Sequence, residues 1–164
     1  MSLKFKIKVP GTSANIGVGY DCLGVALDYY LEIEVTESET IEFVENGKEF
    51  SIPLDENLMF EAANFTQKKL NKTIPNYRVN IIRNDIPIAR GLGSSSSAIV
   101  AGIMIVNRFL NNKLDRDSIA KLAVEMEGHP DNVVPAIFGG MVLAAHDKEN
   151  LSYALLPNIE NLFF

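Results

Sequence analysis

The sequence predicts an α+β fold, a two-layer sandwich of one sheet and a set of helices. Five stretches in the first half of the chain alternate polar and apolar residues at the strand period. Three longer stretches instead repeat apolar residues at helical spacing. These blocks come unevenly, without the regular strand and helix alternation of a doubly wound sheet.

Taken in order, the first strand is expected from Lys4 to Val9, where lysines alternate with Phe5, Ile7 and Val9. A long irregular loop, Pro10 to Gly24, follows. Further strands are expected at Tyr29 to Thr36, Thr40 to Val44, Lys48 to Ile52 and Tyr77 to Arg83, with Asn46-Gly47 as the hairpin turn between the middle two. The first half therefore reads as mainly antiparallel sheet. The helices are Asn57 to Leu70, with Leu58, Ala62, Phe65 and Leu70 on one side; Ser95 to Leu110; and Asp115 to Glu127, opened by an Asp115 cap and closed by Gly128. Met141 to Ala145 and Tyr153 to Leu156 complete the pattern as strands.

With 164 residues and 47% hydrophobic content, the chain can bury the core of one domain, or of one domain and part of another. Its 15 basic and 21 acidic residues leave a net charge of −6 with no basic cluster, which argues against nucleic acid or an anionic membrane and for a small-molecule ligand. Cys22 is the only cysteine, so no intramolecular disulfide can form, and its apolar neighbours predict a buried small residue. Two histidines and one cysteine do not make a zinc cluster. The N-terminus is strand-like and lacks the apolar run of a signal peptide, and Asn107-Arg108 ends the longest apolar stretch short of a membrane span, so a cytoplasmic protein is expected.

The most informative segment is Pro87-Ile-Ala-Arg-Gly-Leu-Gly-Ser-Ser-Ser-Ser97, running into an apolar helix. Gly91 and Gly93 allow positive φ and close approach, and the serines bring hydroxyls to a helix start whose first N–H groups and dipole favour an anion. A tight turn with ordinary serine caps is the plain alternative. Ser94 follows Gly93 where a P-loop needs lysine, and Cys22 stands where the dinucleotide fingerprint needs its third glycine in the cluster Gly17 to Gly24. A different kind of phosphate site is required.

Two more polar clusters sit among apolar elements. Asn15 and Asp21 lie in the first loop, where local turn bonding is their ordinary use. Glu127-Gly-His-Pro-Asp-Asn132 packs two carboxylates, an imidazole and an amide into six residues. A phosphate cradle, a carboxylate with a hydroxyl for Mg²⁺, and polar groups for an acceptor are what phosphoryl transfer to a small alcohol requires. A serine hydrolase does not fit, since no Gly-x-Ser-x-Gly elbow occurs.

Together the clusters resemble the homoserine kinase branch of the GHMP kinases, the superfamily of galactokinase, homoserine kinase, mevalonate kinase and phosphomevalonate kinase. The shared second motif stands as Pro87-Ile-Ala-Arg-Gly-Leu-Gly-Ser-Ser95, and the branch's first motif as Ser13-Ala-Asn-Ile-Gly-Val-Gly-Tyr-Asp-Cys-Leu-Gly24. His129-Pro-Asp-Asn-Val-Val-Pro-Ala136 also resembles that branch. The resemblance implies the ribosomal protein S5 domain 2-like sandwich with a left-handed βαβ unit, and ATP-dependent phosphorylation of L-homoserine in threonine biosynthesis. It implies that residues 87–97 (Pro87, Ile88, Ala89, Arg90, Gly91, Leu92, Gly93, Ser94, Ser95, Ser96, Ser97) bind ATP with Asn57 on the adenine side. Ser95 and Glu127 would hold Mg²⁺; Asp21 and His129 would bind the ammonium and carboxylate of the substrate. Asn15 and Asn132 would orient the reacting hydroxyl, with Asp131 as candidate general base.

Superfamily kinases are about twice this length, and the apolar end Asn161-Leu-Phe-Phe164 reads as a strand just begun. The expectation is an N-terminal, ATP-binding domain over 1–156, with 157–164 opening a C-terminal domain that is otherwise absent. A mevalonate- or sugar-type sibling and a catalytically silent nucleotide-binding module are the alternatives. Oligomeric state, a homodimer included, stays open.

Overall fold

A computed structural model of the chain describes residues 3–17, 19–88, 90–147 and 150–157, apart from the side chain of Glu49. Two long strands, β1 (Lys4–Ala14) and β2 (Leu23–Glu37), pair antiparallel and form the spine of the sheet. On its other edge β2 is shared: its C-terminal half pairs with β5 (Tyr77–Asn84) and its N-terminal half with β6 (Met141–His146). β3 (Glu42–Glu45) and β4 (Lys48–Glu49) lie beyond β5, and β7 (Leu151–Leu156) beyond β6. One seven-stranded sheet results among the described residues.

The helices are α1 (Leu58–Leu70), α2 (Ser94–Phe109), α3 (Arg116–Glu127) and α4 (Val133–Phe138). Alternation in the strands decides which face they cover. Phe5, Ile7, Val9, Leu31, Ile33, Val35, Val79 and Ile81 point into the helix layer and are buried. Lys4, Lys8, Glu32, Glu34 and Arg83 take the opposite face and form exposed ion pairs there. α2 is apolar on most of its circumference, and a helix of that kind must be central. Residues Ile99 to Ile103 are buried, as are Ile105, Val106 and Asn107. The Asn107 side chain bonds both the N–H and the carbonyl of Leu114, closing the turn into α3.

The predicted elements are found with shifted ends. β1 and β2 run much further than their alternation suggests, because the pleat continues through Pro10 to Ala14 and from Leu23 onward with a register shift after Pro10. The strand expected to reach Ile52 stops at Glu49, and a 3-10 turn at Leu54–Glu56 follows. Asn46 and Gly47 both have positive φ, as the hairpin requires. The antiparallel expectation needs one correction: β3 and β5 are parallel, since α1 carries the chain back across the sheet between them. α4 was unmarked in the sequence, which assigns no element over Val133–Phe138. Proline is tolerated there because it sits in the first turn. Cys22 is half-buried, more open than its neighbours suggested. Beyond Pro157, the expected opening of a second domain lies outside the described residues.

Candidate active site

The glycine and serine loop ends at the N-terminus of α2, with Gly93 as N-cap at φ 69° and Gly91 at φ 70°. No serine side chain caps the helix. That differs from the capping role open to these serines, and it leaves the end accessible. The first i→i−4 bond is Ser97 N–H to the Gly93 carbonyl, so the N–H groups of Ser94, Ser95 and Ser96 have no intrahelical partner. Such a terminus favours an anion.

The serines divide by burial. Ser95 is exposed and Ser94 half-buried, whereas Ser96 and Ser97 are buried. The Ser97 hydroxyl donates to the carbonyls of Pro10 and Gly93, so it is committed to fastening α2 onto β1. The Ser95 and Ser96 hydroxyls both point at Glu127 Oε1, at 3.4 Å and 3.0 Å. Glu127 is the last residue of α3, and Gly128 in the left-handed conformation turns the chain there. Glu125 instead pairs with Lys69 on α1.

Beside the loop lies an apolar cavity of about 240 Å³, lined among others by Phe50, Asn57, Leu58, Ile86, Ile88 and Ser95. Asn57 caps α1: its Oδ1 accepts from Met59 N–H at 3.0 Å and Phe60 N–H at 3.2 Å. Pro87, Ile88 and Arg90 are exposed, and Ala89 lies outside the described residues.

The third cluster meets the loop through one residue that carried no signal in the sequence. Thr12, fully buried near the end of β1, donates its hydroxyl to Asn132 Oδ1 at 2.9 Å and its N–H to the Leu92 carbonyl at 3.0 Å. A Cβ on Gly93 would lie 2.1 Å from Thr12 Oγ1, so only glycine allows this approach. On the other side, a Cβ on Gly24 would lie 1.8 Å from the Asp131 carbonyl oxygen. Glycines thus let β2 press on the Asp131 segment and β1 press on the phosphate loop.

Asp131 is 1% exposed. Its Oδ1 contacts His129 Nδ1 at 2.7 Å, and its Oδ2 has no hydrogen-bond partner. His129 is exposed, with its other ring nitrogen free of this contact. Asn15 and Asp21 both have positive φ, and Asn15 Oδ1 accepts from Asp21 N–H at 2.9 Å. This is the local turn bond that such residues commonly make, and it leaves the Asn15 amide nitrogen and the exposed Asp21 carboxylate unengaged.

Hard oxygen donors at Ser95, Ser96 and Glu127 suit Mg²⁺, which is held through one or two carboxylates with phosphate oxygens and water completing its shell. Among the described residues no group of three or more His, Cys, Asp or Glu could hold a metal by itself. The pairing of a free helix terminus, one carboxylate and an adjacent apolar cavity therefore fits a metal nucleotide better than a free-standing metal centre.

The model of the GHMP kinase N-terminal domain matches residues 57–140. The chain is 47% identical over 150 residues to a homoserine kinase of Clostridium novyi, covering 91% of this chain and 50% of that protein. It is 40% identical over 162 residues to a homoserine kinase of Clostridium kluyveri, covering 98% and 54%. The solved homoserine kinase of Cytophaga hutchinsonii superposes with a TM-score of 0.78 at 27% identity, over 96% of this chain and 53% of that one. The chain spans about half the length of these relatives. The matched segment runs from the Asn57 cap through the loop and α2 to α4, and on it the chain belongs to the GHMP kinases as their N-terminal domain.

Proposed function

We propose that the full-length protein phosphorylates the side-chain hydroxyl of L-homoserine with ATP and Mg²⁺, in the cytoplasm and in the service of threonine biosynthesis. The observation that carries this is the Ser95, Ser96 and Glu127 contact, placed between a free helix N-terminus and the cavity at Asn57. The relatives' printed names supply the substrate.

In this reading the adenine enters the apolar cavity, and the N–H groups of Ser94 to Ser96 hold the β- and γ-phosphates. Ser95 and Glu127 would hold Mg²⁺, which would supply charge neutralisation there. Asp21 takes the substrate ammonium and His129 its carboxylate, with the ring fixed by Asp131. Asn15 and Asn132 orient the hydroxyl. An O–P bond forms to that oxygen as the bond between the γ-phosphorus and the bridging oxygen of ADP breaks. The hydroxyl proton leaves to a base; Asp131, the carboxylate of this segment, is buried behind His129 and takes it only by way of that imidazole. Positioning and charge neutralisation account for most of the acceleration.

The test is the full-length gene product with ATP, Mg²⁺ and homoserine, followed by phosphorus NMR for O-phosphohomoserine. Turnover of mevalonate or a sugar in its place would reject the substrate. Nucleotide binding without turnover of any alcohol would reject the enzyme.

A further inference from the structure

We propose that Thr12 is a positioning residue that sets the Asn132 amide and locks it to the phosphate loop. The inference rests on the phosphotransferase reading above. Thr12 faces two ways. Its N–H is fixed by the Leu92 carbonyl, and its Oγ1 occupies space that only a glycine at position 93 leaves open. A side chain whose N–H is fixed and whose oxygen is crowded against Gly93 is restricted in its rotamer. From there the hydroxyl donates to Asn132 Oδ1.

The chemical consequence lies in the amide. With Oδ1 turned to Thr12, the Asn132 Nδ2 is the free end, so the group directs its N–H donors away from that contact. A donor is what the oxygens of a transferring phosphoryl group or an alkoxide-like acceptor oxygen require. Asn132 has no capping bond of its own to hold it, so Thr12 supplies the orientation. The same residue joins the phosphate loop to the segment that carries Asn132.

The backbone N–H survives substitution, whereas the hydroxyl does not, and this separates the two roles. In the full-length protein, Thr12→Val is expected to lower kcat about 10- to 100-fold while KM for ATP stays within about threefold. Thr12→Ser restores kcat to within about threefold, and on an Asn132→Ala background Thr12→Val adds less than about a twofold further loss. A Thr12→Val enzyme with near-parental kcat, or losses that multiply with Asn132→Ala, would overturn the proposal. Equal damage to ATP affinity and melting temperature that serine does not rescue would overturn it as well, leaving Thr12 a packing residue. If the valine variant does not fold, the smaller Thr12→Ala is judged by the same outcomes. Should the parent protein ignore homoserine, the substrate assignment fails, and the Thr12 comparison is made on the alcohol it does phosphorylate.

Discussion

The Ser96 hydroxyl lies 3.0 Å from Glu127 Oε1, which joins the first turn of α2 to the last residue of α3 across 31 residues of sequence. Ser96 is buried and Ser95 exposed, so one hydroxyl anchors the carboxylate from behind while the other shares its open side. Glu127→Gln keeps the shape and the acceptor but removes the charge. It is expected to lower kcat about 100-fold and to raise the Mg²⁺ concentration needed for half-maximal rate. Glu125→Gln, which removes only an exposed pair with Lys69, leaves both unchanged. A Mg²⁺ titration of the two variants decides the matter.

Gly91 and Gly93 share a left-handed backbone but differ in surroundings. A Cβ at Gly91 meets nothing within 4 Å, whereas one at Gly93 collides with Thr12. Gly91→Ala is expected to cost about 1–2 kcal/mol from backbone strain alone. Gly93→Ala adds overpacking, for a total of about 2–4 kcal/mol, and displaces the loop. Urea unfolding gives the two stabilities, and nucleotide binding should be weakened far more by Gly93→Ala.

Tyr77 is buried beside Phe43 and Phe109, and its hydroxyl has no hydrogen-bond partner. Burial pushes its ionisation well above the ordinary value of 10.0. The folded state therefore keeps a proton that the unfolded chain releases. The associated stability is fully present below about pH 10 and is lost as the pH climbs above it. Tyr77→Phe is expected to be neutral, or more stable by about 1 kcal/mol, since it removes an unsatisfied buried group. The variant should also lose that alkaline component in a pH series of thermal melts. A destabilised variant would mean that the hydroxyl has a partner after all.

Much of the fold was legible because periodicity is local. The lysine alternation of β1, the Asn46-Gly47 turn, the Asp115 cap and the apolar girth of α2 are short-range patterns, and each produced the element expected. α4 escaped because six residues with two valines and a proline carry too little helical signal. Glycine has the same limit. Nothing local marks Gly102 as the point where α2 touches α1, yet a Cβ there would lie 2.3 Å from the Met59 carbonyl oxygen.

The sequence by itself determined which chemical groups are present and roughly where each strand and helix lies, because propensity, capping and alternation act over a few residues. It also held the loop that marks the family. Only the tertiary structure decided which groups meet: that two of four serines face Glu127 while Ser97 is spent on Pro10, that Asp131 is sealed behind His129, and that Thr12 bridges Leu92 and Asn132. Apart from the local His129–Asp131 pair, these contacts join segments from about 30 to 120 residues apart, and they exist because the sheet and its close glycine contacts press those segments together.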